Sequence, residues 1–433
     1  MVTTRLLSTA WLATALLAGA AEAQGGPSLL PMLHTEGARW LAADGSAPAL
    51  RGVNLGNYLI QEFWMMGQGG AGIDDQCKLE AVLDRRFGYA QRERLYALYR
   101  DNWITRRDWD LLPKLKLNLV RLPFIYSVLE DEKNPRQLRA DAWHYLDQAI
   151  AEAEQRGIYV ILDLHGAVGS QGWEHHSGCA GRNQYWDTPE YQARTIWLWQ
   201  QIAARYKDRG AVAGYSILNE PWGTTPENLA VVMGTLYREI RKVDPNHVII
   251  LPGHSKGIDA YGKPSEHGQV NVAFEMHPYP GHFGWGKPGA DVHRDWLQCG
   301  AGGKGGVCAW KARQEKLDTA YFIGEFQPWA LMGAELGGQV TRASYDTYVA
   351  NGWASTAWSY KLLSNQGGQG KGSWGMVTNA PGARIPKFDF NTASLAEIEN
   401  LFRLFGSVPY EPQQAVIRWM NATVPPTPFA HKN

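Results

Sequence analysis

The chain is poor in several features that would mark common classes of protein. It has four cysteines in 433 residues, and no two of them form a CxxC pair. A zinc site of the usual spacing is therefore not expected. Lys and Arg total 42, as do Asp and Glu, so the formal net charge is zero. No long basic run disturbs that balance, which argues against a nucleic-acid partner. No Gly-rich dinucleotide loop follows the first strand candidate. No Ser/Thr/Pro-rich linker sets off a separate module. Away from the N-terminus no stretch is long and apolar enough to span a bilayer.

The N-terminus is a separate piece. Arg5 supplies a positive charge, residues 6–20 are mostly apolar and small, and Ala21-Glu22-Ala23 fits a small-x-small cleavage site. Residues 1–23 read as a secretory signal peptide, with Gln24 as the mature start. The expected product is secreted (extracellular or periplasmic), with no stable membrane insertion after cleavage. Residues 24–433 are expected to form a single domain, and a monomer. Export makes the cysteines candidates for disulfides. Cys299 and Cys308 flank a Gly-rich loop and can close it, which would leave Cys77 with Cys179. Three pairings remain open at this point.

What the chain does have is apolar and aromatic mass: 45% hydrophobic residues, with 19 Trp and 19 Tyr. Residues 40–46 carry an Asp44-Gly45 turn signal and predict a small hairpin, placed as a lid on the bottom of the fold. Eight strand candidates follow at 52–55, 117–122, 159–165, 212–219, 247–251, 272–277, 321–325 and 353–360. Between them lie amphipathic segments. Residues 141–156 place Trp143, Leu146, Ile150 and Ala153 at helical spacing, and 190–207 repeat the pattern. A third helix, 226–243, follows Thr225 as N-cap with Pro226 at the first position. Eight alternating units predict a (β/α)8 TIM barrel with long βα loops.

The long loops follow strands one, three and six, at 56–90, 166–189 and 278–309. They hold Tyr58, Phe63, Trp64, Trp173, Tyr185, Trp186, Tyr279, Phe283 and Trp285. Exposed rings over a cleft suit the apolar face of a sugar. Residues 425–433 read as a loose Pro-rich tail.

The strand ends carry the chemistry. Strand four runs apolar to Leu218 and then stops in Asn219-Glu220-Pro221-Trp222. Strand seven does the same, ending Gly324-Glu325-Phe326. The others end in Arg121, in Asp163-Leu164-His165, in His277-Pro278-Tyr279 and in Trp358-Ser359-Tyr360. A lone polar residue at a strand end is usually structural. Six in order, at the catalytic lip of one barrel, indicate a site. Two glutamates on separate strands are the minimum equipment for cleaving a glycosidic bond.

The pattern resembles family 5 of the glycoside hydrolases over about residues 51–360, and is most similar there to exo-β-1,3-glucanases. The likeness rests on Arg51-Gly52-Val53-Asn54-Leu55-Gly56 and on Asp163-Leu164-His165-Gly166-Ala167-Val168-Gly169-Ser170-Gln171. It implies a catalytic pair, Glu220 as acid/base and Glu325 as nucleophile, and substrate-binding roles for Arg121, His165, Asn219, His277, Tyr279 and Trp358. Glu62 aligns with a glutamate that holds the terminal sugar; its alternative is a solvated loop acid. On this reading Glu220 needs a raised pKa and Glu325 an ionised carboxylate favoured by Arg121. Neither metal nor cofactor is implied. Glu174-His175-His176 lacks an HExxH helix or a third ligand and is expected to line the cleft wall.

Gly56-Asn57-Tyr58, Phe326-Gln327-Pro328-Trp329-Ala330 and the Cys299–Cys308 loop depart from the exo-glucanase pattern. They bear on which linkage is cut. The expected substrate is a β-linked oligo- or polysaccharide, with β-1,3-glucan the first choice. An endo-β-1,4-glucanase, a mannanase or a transglycosylase, with Trp222 or Trp329 stacking an acceptor, are the alternatives. A non-catalytic carbohydrate-binding protein is the alternative of another class, although such decay usually removes a carboxylate and both are present.

Overall fold

In the computed structural model of the chain, residues 30–253, 257–365 and 373–425 are described. The expected signal peptide and the tail beyond residue 425 lie outside them. An N-terminal hairpin pairs β1 (Leu33–Glu36) with β2 (Arg39–Ala42). Eight strands follow: β3 (Arg51–Asn54), β4 (Leu119–Ile125), β5 (Tyr159–Gly166), β6 (Val212–Ser216), β7 (Val248–Pro252), β8 (Val272–Met276), β9 (Ala320–Ile323) and β10 (Ala354–Ala357). They pair in chain order, and β10 closes on β3. The eight-stranded parallel barrel expected from the sequence is present.

Among the described residues, the helices between the barrel strands are α1 (Gln76–Phe87), α2 (Tyr89–Trp103), α3 (Arg106–Leu111), α4 (His144–Glu154), α5 (Pro189–Tyr206), α6 (Pro226–Arg241), α7 (Ala290–Leu297), α8 (Gly306–Leu317) and α9 (Ala334–Ala350). The helix starting at Pro226 is capped as expected, with Thr225 Oγ1 accepting from Asn228 N. Its buried face is Leu229, Val232, Met233, Leu236, Tyr237 and Ile240. That i, i+3, i+4, i+7 spacing points one stripe at the barrel. Each such side chain contributes about 1.5–3 kcal/mol on burial.

The hairpin is present, but its turn is elsewhere. The strands reverse at Gly37-Ala38, where Gly37 takes φ +54°. Asp44-Gly45 forms a second, separate turn, with Asp44 Oδ1 accepting from Ser46 N. Both sites carry turn chemistry, but only the first lies between residues in register. The hairpin does close the barrel bottom. Leu33 and Trp40 join one apolar cluster with Leu119, Ile161, Ala273 and Phe322. Trp40 Nε1 donates to the Tyr321 carbonyl at 2.9 Å.

After the barrel, β11 (Lys361–Leu362), β12 (Val377–Asn379) and β13 (Tyr410–Pro412) form a small sheet. Helix α10 (Leu395–Ser407) packs on α2, and α11 (Gln414–Met420) packs on α9. The sequence reading did not anticipate this extension, because strands of two or three residues show no period.

Of the three cysteine pairings, one is made: Cys77–Cys179 and Cys299–Cys308. The first ties α1 to the loop after β5. The second closes the Gly-rich loop onto the start of α8.

Candidate active site

Alternation along the strands decides what enters the barrel. On β4 the inward row runs Leu119, Arg121. On β5 it runs Ile161, Asp163, His165. On β8 and just past it, the row is Ala273, Glu275, His277. The lower members join the apolar cluster at the bottom. The upper members are polar and ionisable, and they meet at the opposite end of the barrel.

Arg121 is the hub and is fully buried. Its Nη1 donates to Glu325 Oε1 at 3.0 Å and to Asn54 Oδ1 at 3.1 Å. Its Nη2 donates to Asn219 Oδ1 at 2.7 Å and lies 3.0 Å from Asp163 Oδ1. Its Nε lies 3.0 Å from Glu275 Oε1. Burial disfavours the guanidinium charge, but the surrounding carboxylates more than offset this and hold it charged. Ser216 Oγ bridges Asp163 and Glu275 from β6.

Two histidines rise from this base, and both follow a carboxylate by two residues. His165 Nδ1 faces Asp163 Oδ2 at 2.7 Å, and its Nε2 faces Asn219 Nδ2 at 3.3 Å. That pattern fits Nδ1 as donor and Nε2 as acceptor. His277 faces carboxylates from both nitrogens. Its Nδ1 is 2.7 Å from Glu220 Oε1 and 3.6 Å from Glu325 Oε2, and its Nε2 is 3.1 Å from Glu275 Oε1. Burial opposes protonation, but the three carboxylates prevail and push His277 up to about 10. His277 is an imidazolium at neutral pH. Gly324 makes room for this arrangement: a Cβ there would stand 1.9 Å from Glu275 Oε1.

Glu220 follows β6 with its backbone at φ +36°. A non-glycine residue there stores about 1–3 kcal/mol of strain. Neighbouring bonds hold it: Asn219 N donates to Leu164 O, and Gln171 Nε2 donates to the carbonyls of both His165 and Asn219. Gln171 thus ties the ends of β5 and β6 together. Glu325 accepts from Arg121 at Oε1 and from Tyr279 Oη, at 2.5 Å, at Oε2.

The two carboxyls depart from the expected electrostatics. Burial raises Glu325 above the ordinary glutamate value, and the nearby Glu220 charge adds to this against His277 and Arg121. Burial works on Glu220 in the same sense, but His176 and His277 outweigh it and hold Glu220 below the usual carboxylate range. The expected raised acid is therefore corrected. The site keeps a proton on the Glu220–His277 pair, 2.7 Å across, and in the unliganded state it rests on the imidazole. His176 and His277, which hold it down, lie 44 and 57 residues from Glu220 in the chain, so the local sequence carries no sign of the shift. Donor atoms of Glu220, His277 and Glu325 lie within 4.8 Å of one another. Each carboxylate already accepts hydrogen bonds, and Arg121 adds positive charge, so the cluster suits proton transfer better than cation binding.

A cavity of about 780 Å³ opens over these groups. Glu62, His165, Asn219, Glu220, His277, Tyr279, Glu325 and Trp358 all line it, and Arg121 lies beneath. Trp358 stacks on the His165 ring at 5.5 Å. Glu62 is no solvated loop acid. It is 5% exposed and accepts from Trp64 Nε1 at 2.7 Å, with His175 Nε2 at 3.0 Å. The departing residue Asn57 holds it, accepting from Glu62 N at 2.6 Å. Glu174, His175 and His176 line the wall as expected.

The loop aromatics divide. Trp64, Tyr279, Phe283 and Trp285 line the cavity, as does Trp222. Tyr58, Phe63, Tyr185 and Trp186 are buried in the core. Trp329, expected to stack an acceptor, is also buried. Gln327 explains why: its Oε1 accepts from Trp329 N and Ala330 N and turns the chain inward. Its Nε2 donates to the carbonyls of Trp358 and Trp374, so this departing residue sets two cavity walls. Trp374 and Glu275 are site residues that the sequence did not single out, whereas Asp163 was named only within its strand-end motif and His176 only as part of the cleft wall. Asp163 and Glu275 had a signal, a carboxylate two residues before a strand-end histidine. Trp374 had none.

A family model described as cellulase, glycosyl hydrolase family 5, matches residues 89–362. The chain belongs to this family. Among family 5 and related proteins, it is 33% identical over 250 residues to a beta-xylosidase of Phanerodontia chrysosporium, covering 57% of this chain and 52% of that protein. It is 26% identical over 278 residues to a probable glucan 1,3-beta-glucosidase A of Aspergillus niger, covering 62% of this chain and 63% of that one. The chain thus spans between half and two thirds of the length of these curated relatives. The crystal structure of rutinosidase from Aspergillus niger superposes with a TM-score of 0.58 at 18% identity, covering 75% of this chain and 92% of that one. That likeness is one of fold. Among the described residues, no helix is long and apolar enough to cross a membrane.

Proposed function

We propose that this chain is a secreted, single-domain retaining β-glycosidase acting on a β-glucan, by double displacement, with Glu220 as acid/base and Glu325 as nucleophile. One observation carries the reading. Facing oxygens of Glu220 and Glu325 lie within 4.8 Å of each other. Retaining enzymes hold their carboxyls about 5–5.5 Å apart, whereas inverting enzymes need about 6.5–9.5 Å to admit a water.

In the first step a Glu325 oxygen attacks the anomeric carbon. The glycosidic C–O bond breaks, its electron pair goes to the leaving oxygen, and that oxygen takes the proton of Glu220. As Glu325 becomes an ester it loses the charge that helped hold the proton on His277. In the same step the proton passes from Nδ1 to Glu220 across 2.7 Å and on to the leaving oxygen, which leaves Glu220 ionised and able to act as a base once the ester has formed. In the second step water attacks the same carbon, gives its proton to Glu220, and Glu325 leaves with the bonding pair. Arg121 and Tyr279 hold Glu325. Asn219, steered by Arg121 and His165, binds the sugar 2-hydroxyl, and Trp358 forms the floor.

Glu62 supports an exo-acting site. A buried, ionised carboxylate flanked by Trp64 and His175 suits the hydroxyls of a terminal sugar and walls one end. The relatives named for glucan 1,3-β-glucosidase activity favour a β-1,3-glucan. The relative named beta-xylosidase supports a second reading, a β-xyloside. The test is the time course of products from laminarin, cellulose, mannan and an aryl β-xyloside, with Glu325→Ala as control and the anomer of the first product read by NMR. Glucose alone from laminarin, released as the β-anomer, is the expected result. Mixed oligosaccharides from the start would overturn the exo reading, and an α-anomer would overturn retention.

A further inference from the structure

We propose that His176 is a positioning residue for Glu220: from the turn after β5, its imidazole stands on the outer carboxylate oxygen and sets how readily Glu220 gives up its proton to a departing group. The proposal rests on the acid/base reading of Glu220 given above.

The geometry is specific. Each oxygen of Glu220 has its own histidine, with His277 Nδ1 2.7 Å from Oε1 and His176 Nε2 3.2 Å from Oε2. Trp222 Nε1 also donates to Oε2, at 3.3 Å. Both Glu220 and His176 line the cavity and are largely shielded, with side chains 17% and 16% exposed. At this distance and burial the interaction between the two side chains is poorly screened, and it favours an ionised Glu220.

The turn that carries His176 is firmly held. Cys179, three residues on, is bonded to Cys77 on α1. Cys77 N donates to Gly178 O at 3.0 Å, and Ala180 N donates to Asp75 Oδ2 at 3.2 Å. Ser177 Oγ donates to Gly172 O. The neighbouring His175 is occupied with Glu62. The turn thus places one histidine on each of two carboxylates in the cavity.

Other charges face the pair. Glu220 also feels His277, Glu325 and Arg121, and it faces Tyr279. His176 faces the rings of His165 and His175. Of these, His176 and His277 touch Glu220, and His277 is already committed to three carboxylates. His176 has the one carboxylate partner.

The consequence concerns acid strength. A cation beside a carboxylate favours its ionised form. Below the alkaline limb the Glu220–His277 pair already holds its proton. Removing His176 therefore adds no proton; it makes Glu220 grip the proton more tightly and so act as a weaker acid. Leaving groups that need protonation suffer, and those that leave unaided do not.

The test is a series of aryl β-glucosides, from 2,4-dinitrophenyl to unsubstituted phenyl, with kcat/KM measured for wild type, His176→Gln, His176→Arg and Glu220→Gln. His176→Gln is expected to lose on the order of tenfold on the phenyl glucoside and nothing on the dinitrophenyl one. His176→Arg, which places a cation beside the same oxygen, should restore the wild-type leaving-group dependence. Glu220→Gln should lose about 10²–10⁴-fold on the phenyl glucoside alone. No loss, or equal losses, of His176→Gln on the two substrates beside a normal Glu220→Gln response would overturn the role of His176 and leave Glu220 as the acid. If Glu220→Gln loses nothing on the phenyl glucoside, or if wild type cleaves neither, the acid/base reading falls and the role of His176 with it.

Discussion

The two ends of the barrel interior are built from the same inward rows and do opposite things. At the bottom, Leu119, Ile161, Ala273 and Phe322 pack with Leu33 and Trp40 of the hairpin. Two residues further along β4, β5 and β8, the same faces present Arg121, Asp163 and Glu275, and beyond them His165 and His277. The bottom is held by contacts that any well-fitting apolar side chain can supply. The top is held by ions that are tolerable only in company. Arg121 is surrounded by Asp163, Glu275 and Glu325, so no member can be removed without exposing the others. The lesson is that one barrel can keep stability and chemistry a few ångströms apart, because a strand rises about 3.3 Å per residue and repeats its face every two.

The comparison can be broken most severely at the top. Glu325→Ala is expected to abolish turnover on the cognate glycoside while leaving oligosaccharide binding measurable by calorimetry. Loss of binding with retained turnover would mean that the top is not where chemistry happens. Arg121→Met should cost about 3–5 kcal/mol in urea unfolding, since it leaves buried carboxylates without their cation. A smaller loss would mean that the ions at the top are no more interdependent than the side chains at the bottom.

The bottom gives the contrasting prediction. Trp40→Ala should cost about 3 kcal/mol through the cavity it leaves. It should leave the pH–activity profile in place, because it lies among apolar groups. A shifted profile would show that the two ends are coupled.

Gly324→Ala sharpens the comparison within the top. Its Cβ must displace the Glu275 carboxylate, which lies 1.9 Å from the position the Cβ would take. His277 then loses the partner at Nε2, and the alkaline limb of kcat/KM should move down. An unchanged limb would detach Glu275 from the proton held by His277.

The smallest effect is one of pH alone. Glu325 lies above the ordinary glutamate value of 4.5, so activity should fall as pH drops through that raised value and the proposed nucleophile is neutralised. The Glu220–His277 pair loses its proton only as pH rises toward the His277 value of about 10. The plateau should therefore begin later on the acid side and extend further on the alkaline side than two isolated groups would give. A limb near the ordinary histidine value would overturn the imidazolium between the carboxylates.

Much of this was legible before the fold. Glu220, Glu325, Arg121, His165, Asn219, His277, Tyr279 and Trp358 all converge, because each ends a strand whose apolar run announces it. Glu62 was legible through likeness, but its burial was not, since it depends on Asn57 and on a turn more than 100 residues away. Trp329 misled because an aromatic after a strand end carries no mark of which way the chain will turn, and Gln327 turned it inward. Trp374 and the sheet of β11, β12 and β13 left no period to read.

By itself the sequence determined the barrel, its eight strands and the residues on its lip, because alternation, helical spacing and caps are local and repeat. Only the tertiary structure decided the cysteine pairing, which aromatics face the cavity, and where the proton of the Glu220–His277 pair rests. Those depend on distances between strands far apart in the chain. His277 is charged because three carboxylates from three different strand ends surround it, and no window of sequence contains all of them.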